Sequence, residues 1–471
     1  MSRALKVLTL LGVMLACGAA MAADIEVSSV QGEASYAKPP KIDVERQSIK
    51  FGDREYLWKY LINIKLRPLQ NRPGKGYKIF LRNGDLFYGD IVGASIEGTD
   101  LFLKIKSNFF GGEVRSVSIN GIAGVQNLNL KVYMQRALAT LQRKAKNAPF
   151  GRIDFHGKPM TAEELQELFD KQPDKFAAEG EKELARTSND FARFMKDKKR
   201  WEYDFFYGIK GRETEAYGLI DRIDDNLNVV LVWETSKKEV SGNLKDIVGL
   251  GFKADEKPSG FGAEPYVKIL GVRGEVVTGQ ITSEKDGVIE VKTDIAGITL
   301  KLSMDDIAEI IFFNGSFVFL SDLAEDGAKV KAVEYGDICM PGTTTSESFP
   351  WQRDRSTMEK RPPLKLNGKI YRKGIGVHSH SELTFQIGGA YKRFKALAGI
   401  HDDVPKPGNV TIEIYGDGKE MLKKTTVKSG DKPLAIDVDV TGVKELKIVV
   451  DFGEGGYHND HCDLANAILV K

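Results

Sequence analysis

Apolar and polar positions alternate with period two in four short runs of the last third of the chain. In SELTFQI, Leu383, Phe385 and Ile387 alternate with Glu382, Thr384 and Gln386. In VTIEIYGDG, Val410, Ile412 and Ile414 alternate with Thr411, Glu413 and Tyr415. In LAIDVDV, Ile436, Val438 and Val440 alternate with Asp437, Asp439 and Thr441, and ELKIVVDFG follows. One apolar face per strand predicts antiparallel strands around a shared core. Turn residues recur about every ten positions, at Gly416-Asp417-Gly418 and Ser429-Gly430-Asp431. That spacing predicts a sandwich or jelly roll with no helix in it.

Upstream, a second pattern repeats. Residues 77–126 begin YKIFLRNGDLFYGDIVG and residues 266–313 begin YVKILGVRGEVVTGQIT. Each turns at a glycine (Gly84, Gly274) and meets another five residues later (Gly89, Gly279). Each closes on Ile-x-x-Ile/Val, Ile122 with Val125 and Ile307 with Ile310. Residues 203–252 read as a degenerate copy, with Gly211, Gly218, and Ile247 near Leu250. The plan is that of a small five-stranded, SH3- or Sm-like barrel, bent where glycine permits. Between the first two copies the period becomes helical in KVYMQRALATLQRKAK, and Thr161-Ala162-Glu163-Glu164 forms a capping box ahead of LQELF.

The expected architecture is therefore mainly β. A signal peptide occupies 1–22 and an N-terminal arm, ordered or mobile, 23–70. Barrel repeats follow at 71–130, 201–255 and 264–314, with a helical connector at 131–200. The sandwich fills 315–471. The signal reads from Arg3 and Lys6, the apolar run VLTLLGVMLACGAA, and the Ala20-Met21-Ala22 cleavage site. A lipoprotein reading through Cys17 fits poorly, because Leu15 stands where a small residue is expected. Export to the periplasm or beyond follows, and no later segment is long enough to cross a bilayer.

Removing the signal takes Arg3 and Lys6 from 68 basic residues and leaves 66 against 66 acids. That balance argues against a nucleic-acid partner. Cys339 and Cys462 remain, a pair that invites a disulfide in an oxidising compartment and equally fits two buried thiols.

The turns between the last strands carry a further signal. They read YRKGIGVHSHSEL (Tyr371 to Leu383), FKALAGIHDDV (Phe394 to Val404) and DFGEGGYHNDHCDLANAILV (Asp451 to Val470), after the opening FVFLSDLAEDGAKV (Phe317 to Val330). In order and spacing these motifs resemble the NPCBM family over residues 315–471. The resemblance implies a galactose-binding-like β-sandwich that binds carbohydrate, often appended to exported glycoside hydrolases. It also allows a structural calcium ion, with ligands that the sequence does not fix, and requires no other cofactor. The family usually has a small residue and then a Trp where this chain has Cys462 and Leu464. Cys462 in a small-residue position, and first and last strands lying side by side in such sandwiches, favour pairing with Cys339.

Sugar recognition asks for an aromatic face against C–H groups and planar polar groups for paired hydroxyls. Trp351 and Tyr457 are candidate platforms, with Tyr371 and Tyr391 behind them. His378, His380, Asp402, Asp403, Asn459 and Asp460 are candidate polar partners. The competing expectation is that these groups satisfy the loop backbone. Five of the six histidines lie in this module, yet HNDHCD matches no structural zinc spacing. No catalytic signature appears in the chain. The leading function is non-catalytic glycan binding, with the barrels as spacers or docking units. The alternatives are an assembly protein of the cell envelope that contacts other envelope proteins, and an unrecognised glycoside hydrolase.

Overall fold

Between Tyr77 and Asn127 the alternating residues fold as five antiparallel strands. Tyr77–Leu81, Leu86–Glu97, Asp100–Lys106 and Val114–Ser118 form a meander, and Ile122–Asn127 returns to pair with the first strand. A computed structural model describes residues 25–471 apart from 71–73, 99, 196–201, 209–214, 234–236, 254–259, 263, 295–297, 325–326, 335–348, 406, 455 and 457. The expected signal peptide, Gly211, Cys339 and Tyr457 lie outside the described residues.

The same strand order recurs twice. It runs through Tyr266–Gly271, Val276–Lys285, Val288–Thr293, Thr299–Ser303 and Ile307–Phe313. It runs again through Asp204–Tyr207, Glu215–Ile223, Asn228–Val232, Glu239–Asn243 and Gly249–Gly251. In the first and third copies a serine (Ser118, Ser303) caps the single 3-10 turn before the last strand by accepting from the main-chain N–H two residues on. The second strand of every copy carries a bulge, at Ile91/Gly93, Ile220/Arg222 and Ile281/Ser283. A bulge bends the strand so that it can serve two neighbours.

The later glycine of the repeated pattern has a steric reason. A Cβ on Gly89, Gly218 or Gly279 would lie 2.9, 2.8 or 2.6 Å from a carbonyl oxygen of the third strand. The copies also join one another. The last strands of the first two pair, Val125 opposite Leu250. Asp85 accepts hydrogen bonds from the Thr278 main-chain N–H at 2.5 Å and its hydroxyl at 2.7 Å, tying the first copy to the third. Burial pushes the Asp85 carboxyl above its ordinary range, with the Thr278 bonds working against that.

The connector contains helices Leu130–Asn147, Ala162–Lys171 and Ala177–Phe194, with a small hairpin, Ile153–Phe155 and Lys158–Met160, that the helical pattern did not announce. The Thr161–Glu164 capping box is formed. Met134, Leu138, Leu165 and Phe176 pack a core under it. Residues 25–70, within the expected arm, are ordered as short strands, among them Ile25–Ser29, Ser48–Phe51 and Leu61–Lys65.

By compactness the chain forms two units: 25–27, 34–55 and 63–311, and then 28–33, 56–62 and 312–471. The second unit is a two-sheet sandwich. One sheet holds Gln352–Arg353, Gly374–His378, His461–Val470, Arg393–Ile400 and Leu434–Asp439, with Phe317–Phe319 also on His461–Val470. The other holds Val330–Glu334, Ser381–Gln386, Glu445–Phe452, Asn409–Gly416 and Lys419–Lys428. The apolar halves of the alternating runs, Phe385, Ile412, Ile436 and Ile448 among them, meet between the sheets. The expected disulfide rests on Cys339, which lies outside the described residues. Cys462 is fully buried in that core between Val377 and Ile400 of the flanking strands. Burial raises its pKa, so it behaves as a small apolar side chain.

The steric role of the repeated glycine gives a test. Gly279→Ala would set a Cβ 2.4 Å from Val291 Cγ1 and 2.6 Å from the Lys292 carbonyl oxygen. Urea denaturation should show a loss of about 1–3 kcal/mol. Unchanged stability would remove the close approach as the reason for glycine.

Candidate functional site

Antiparallel pairing of Gly374–His378 with His461–Val470 sets His378 directly opposite His461 at one end of the sandwich. Their rings meet edge to face at 4.7 Å. Phe349 stacks on His378 at 4.5 Å and meets His461 edge-on at 4.9 Å. His378 is 5 % exposed and its Nδ1 donates to the Ser379 carbonyl at 2.7 Å. The Thr357 hydroxyl lies 2.9 Å from His461 Nδ1. Burial lowers the pKa of His378, and burial with the neighbouring His378 and His401 brings His461 down to about 4. Both imidazoles are neutral at pH 7, each with one donor and one acceptor nitrogen.

Asp460 precedes His461 and is fully buried. It accepts the Ser379 hydroxyl at 2.5 Å and the Asn409 main-chain N–H at 3.3 Å. Burial raises its pKa, partly offset by Ser379. On the other side, His401 Nδ1 lies 2.6 Å from Asp463 Oδ2, both side chains sealed from solvent. Asp463 Oδ2 also takes the Lys365 main-chain N–H at 2.9 Å. His401 Nε2 has no hydrogen-bond partner and faces Asp403 Oδ2 at 3.7 Å. Asp403 is 55 % exposed and pairs with Lys365 Nζ at 2.8 Å, and that hydrogen bond holds its carboxyl below the usual range.

The remaining candidates divide. Asp402 accepts the main-chain N–H groups of Asn367 and Gly368 at 2.8 and 2.7 Å, so it holds the turn between Leu364–Leu366 and Lys369–Tyr371. Asn459 sits at φ 64 in a turn, its amide 3.4 Å from the Pro407 carbonyl. Trp351 is half-buried against the sandwich core, and its main-chain N–H donates to Glu334 at 2.5 Å. Tyr371 is buried, and Tyr391 packs partly on the core.

His380 is directed elsewhere. Its Nδ1 meets Asp451 at 2.8 Å and its Nε2 meets Glu382 at 3.5 Å, beside the Glu382–Lys447 pair at 2.7 Å. Tyr415 joins this group through its bond to Glu413 and lies under Lys447, 6.0 Å from the ring centre. Phe349, Thr357, Lys365 and Tyr415 had not been singled out as site residues. Only Tyr415 carried a signal, as the one aromatic on the polar face of its strand. Among the described residues no three His, Cys, Asp or Glu side chains surround a point that could hold a metal ion.

The low pKa of His461 sets a pH dependence. The unfolded imidazole takes its proton near 6.5 and the folded one only near 4. Stability from this group is therefore complete above pH 6.5 and drains away as pH falls towards 4. Partial exposure discounts the shift to about 2 kcal/mol. Asp460 and Asp463, whose pKa values are raised, act with the opposite sign, gaining stability as pH falls through their raised values towards the ordinary carboxylate range. Denaturation measured at neutral and mildly acid pH should show a shallower loss in His461→Asn than in the parent. Equal slopes would mean that His461 is not the group responsible.

Comparison with known proteins now bears on this domain. A Renibacterium salmoninarum protein named "Putative endo-alpha-N-acetylgalactosaminidase" is 31 % identical over 132 residues, 27 % of this chain and 9 % of that protein. The chain thus spans a small part of that relative's length. Among solved structures, the CBM51 from Clostridium perfringens GH95 in complex with methyl-galactose is 23 % identical, with 33 % of this chain and 99 % of that one covered at a TM-score of 0.28. The tandem CBM51 modules of Sp3GH98 from Streptococcus pneumoniae are 14 % identical, with 56 % and 87 % covered at a TM-score of 0.27. Residues 334–470 match the NPCBM/NEW2 domain family, and that segment of the chain is an NPCBM domain.

Proposed function

We propose that the chain is an exported, non-catalytic glycan-binding protein whose C-terminal sandwich recognises sugar, with the barrel repeats as spacer or docking modules. The observation that carries this reading is the coincidence of the NPCBM match over 334–470 with a polar cluster at one end of its sandwich. A sugar presents paired hydroxyls that both donate and accept. The Lys365–Asp403 pair offers a cationic donor and an anionic acceptor, 33 % and 55 % exposed. Trp351, half-buried by the core, offers an aromatic edge of the kind that lies against sugar C–H groups.

A glycan array with the intact chain tests the reading, and defined hits are expected. Asp403→Ala and Lys365→Ala should each cut retention of a hit about tenfold, the loss of one charge-assisted hydrogen bond. Their melting temperatures should stay at the parent value, because both side chains reach solvent. Silence of the array refutes glycan binding. Hits that survive both substitutions move the site elsewhere on the module, with the face around Tyr415 next in line.

Asp402 should behave differently. Asp402→Ala leaves two main-chain N–H groups of the hairpin turn without their acceptor and should cost about 1–3 kcal/mol. Thermal denaturation measures this. A variant as stable as the parent would release Asp402 from its turn-holding role and restore it as a ligand candidate.

A further inference from the structure

At the end of the helix Leu130–Asn147 the chain passes through Pro149–Gly151 into the hairpin Ile153–Phe155 and Lys158–Met160. Phe150 stands at the apex of that passage and is 100 % exposed. Its backbone lies at φ 63, ψ 12, the left-handed region that large side chains rarely occupy. Such a conformation costs energy and persists where the surroundings impose it or function requires it. Packing does not impose it here, since the ring has no burial at all. Glycine would occupy the same backbone with less strain.

The base beneath the apex is firm. Phe155 stacks on Phe176 at 4.7 Å within the helical core, and the Gly151 N–H donates to the Ala148 carbonyl at 3.0 Å. The flanking sequence is cationic. Residues 143–158 carry Arg143, Lys144, Lys146, Arg152 and Lys158 against the single acid Asp154. All five cations are exposed, and Arg152 is shared with Glu164 at 3.6 Å.

We propose that this tip docks the chain on an anionic phospholipid surface, with Phe150 entering the interface and the flanking cations meeting the headgroup phosphates. An exposed ring within a cation-rich stretch of chain suits the layering of a bilayer surface, apolar below and anionic above. Nucleic acid would ask for a series of stacking rings, and a protein groove for a wider apolar patch. The contact is peripheral, since among the described residues no helix is long and apolar enough to cross a membrane. Docking by the helical connector is independent of glycan binding by the sandwich.

Co-sedimentation of the full chain with vesicles of phosphatidylcholine, with and without phosphatidylglycerol, is the experiment. Binding is expected only with phosphatidylglycerol and should weaken as salt rises. Phe150→Ala should weaken it about tenfold and Phe150→Trp should keep it. The double change Lys144→Glu with Lys146→Glu should weaken it at least tenfold. All these side chains are exposed, so the melting temperatures should match the parent. Absence of binding to the anionic vesicles overturns the proposal. So does a Phe150→Ala chain that binds as tightly as the parent. Binding that soluble heparin competes away and that Phe150→Ala leaves unchanged would show a polyanion patch instead, and also overturns it.

Discussion

The polar end of the sandwich depends on the strand His461–Val470, which is hydrogen-bonded along both edges and buried from Cys462 to Leu469. A strand in that position cannot shift register, because a slip of one residue would carry its apolar side chains out of the core. Its first residues are fixed by the same constraint. His461 must face His378, Asp463 must meet His401, and Asp460 must sit under Ser379. The apolar strand thus acts as the ruler for the polar groups.

Those groups are held in contrasting electrostatic states. Burial keeps His378 and His461 neutral and raises Asp460 and Asp463, whereas Asp403 at the rim is lowered by Lys365. Buried members rigidify the end of the module, because an orphaned polar group there would be costly. The rim pair remains free to exchange water for a ligand at little cost. The division between scaffold and recognition therefore follows solvent access rather than residue type. Asp402 and Asp403 are adjacent in the chain and fall on opposite sides of it.

The N-terminal unit solves a different problem with a repeated device. Each copy bends its long second strand with a bulge and crosses the third strand at a glycine, and the copies then share edges. Edge sharing hides strand edges that would otherwise be open to aggregation. Asp85, buried at such a join, shows that the copies are fitted to one another and not simply strung together.

The sequence by itself determined the elements of the repeats and of the sandwich, though not the connector's hairpin or the strands of the arm. Period two in residues 381–440 depends only on which face each side chain takes, so strands and core residues such as Phe385 and Ile412 could be read locally. The repeated glycines and the Thr161 capping box were legible for the same reason. The tertiary structure decided the rest. Thr357 meets His461 across 104 residues and Lys365 meets Asp403 across 38, separations at which no local pattern specifies contact. It sent His380 to the Asp451 cluster and committed Asp402 to a turn, although both had read like their neighbours. It also drew segments of the arm into the sandwich unit, with Lys369 on Glu33 and Lys395 on the Val30 carbonyl, both at 2.9 Å. Partners chosen by folding, and not by spacing along the chain, distinguish a site from a list of polar residues.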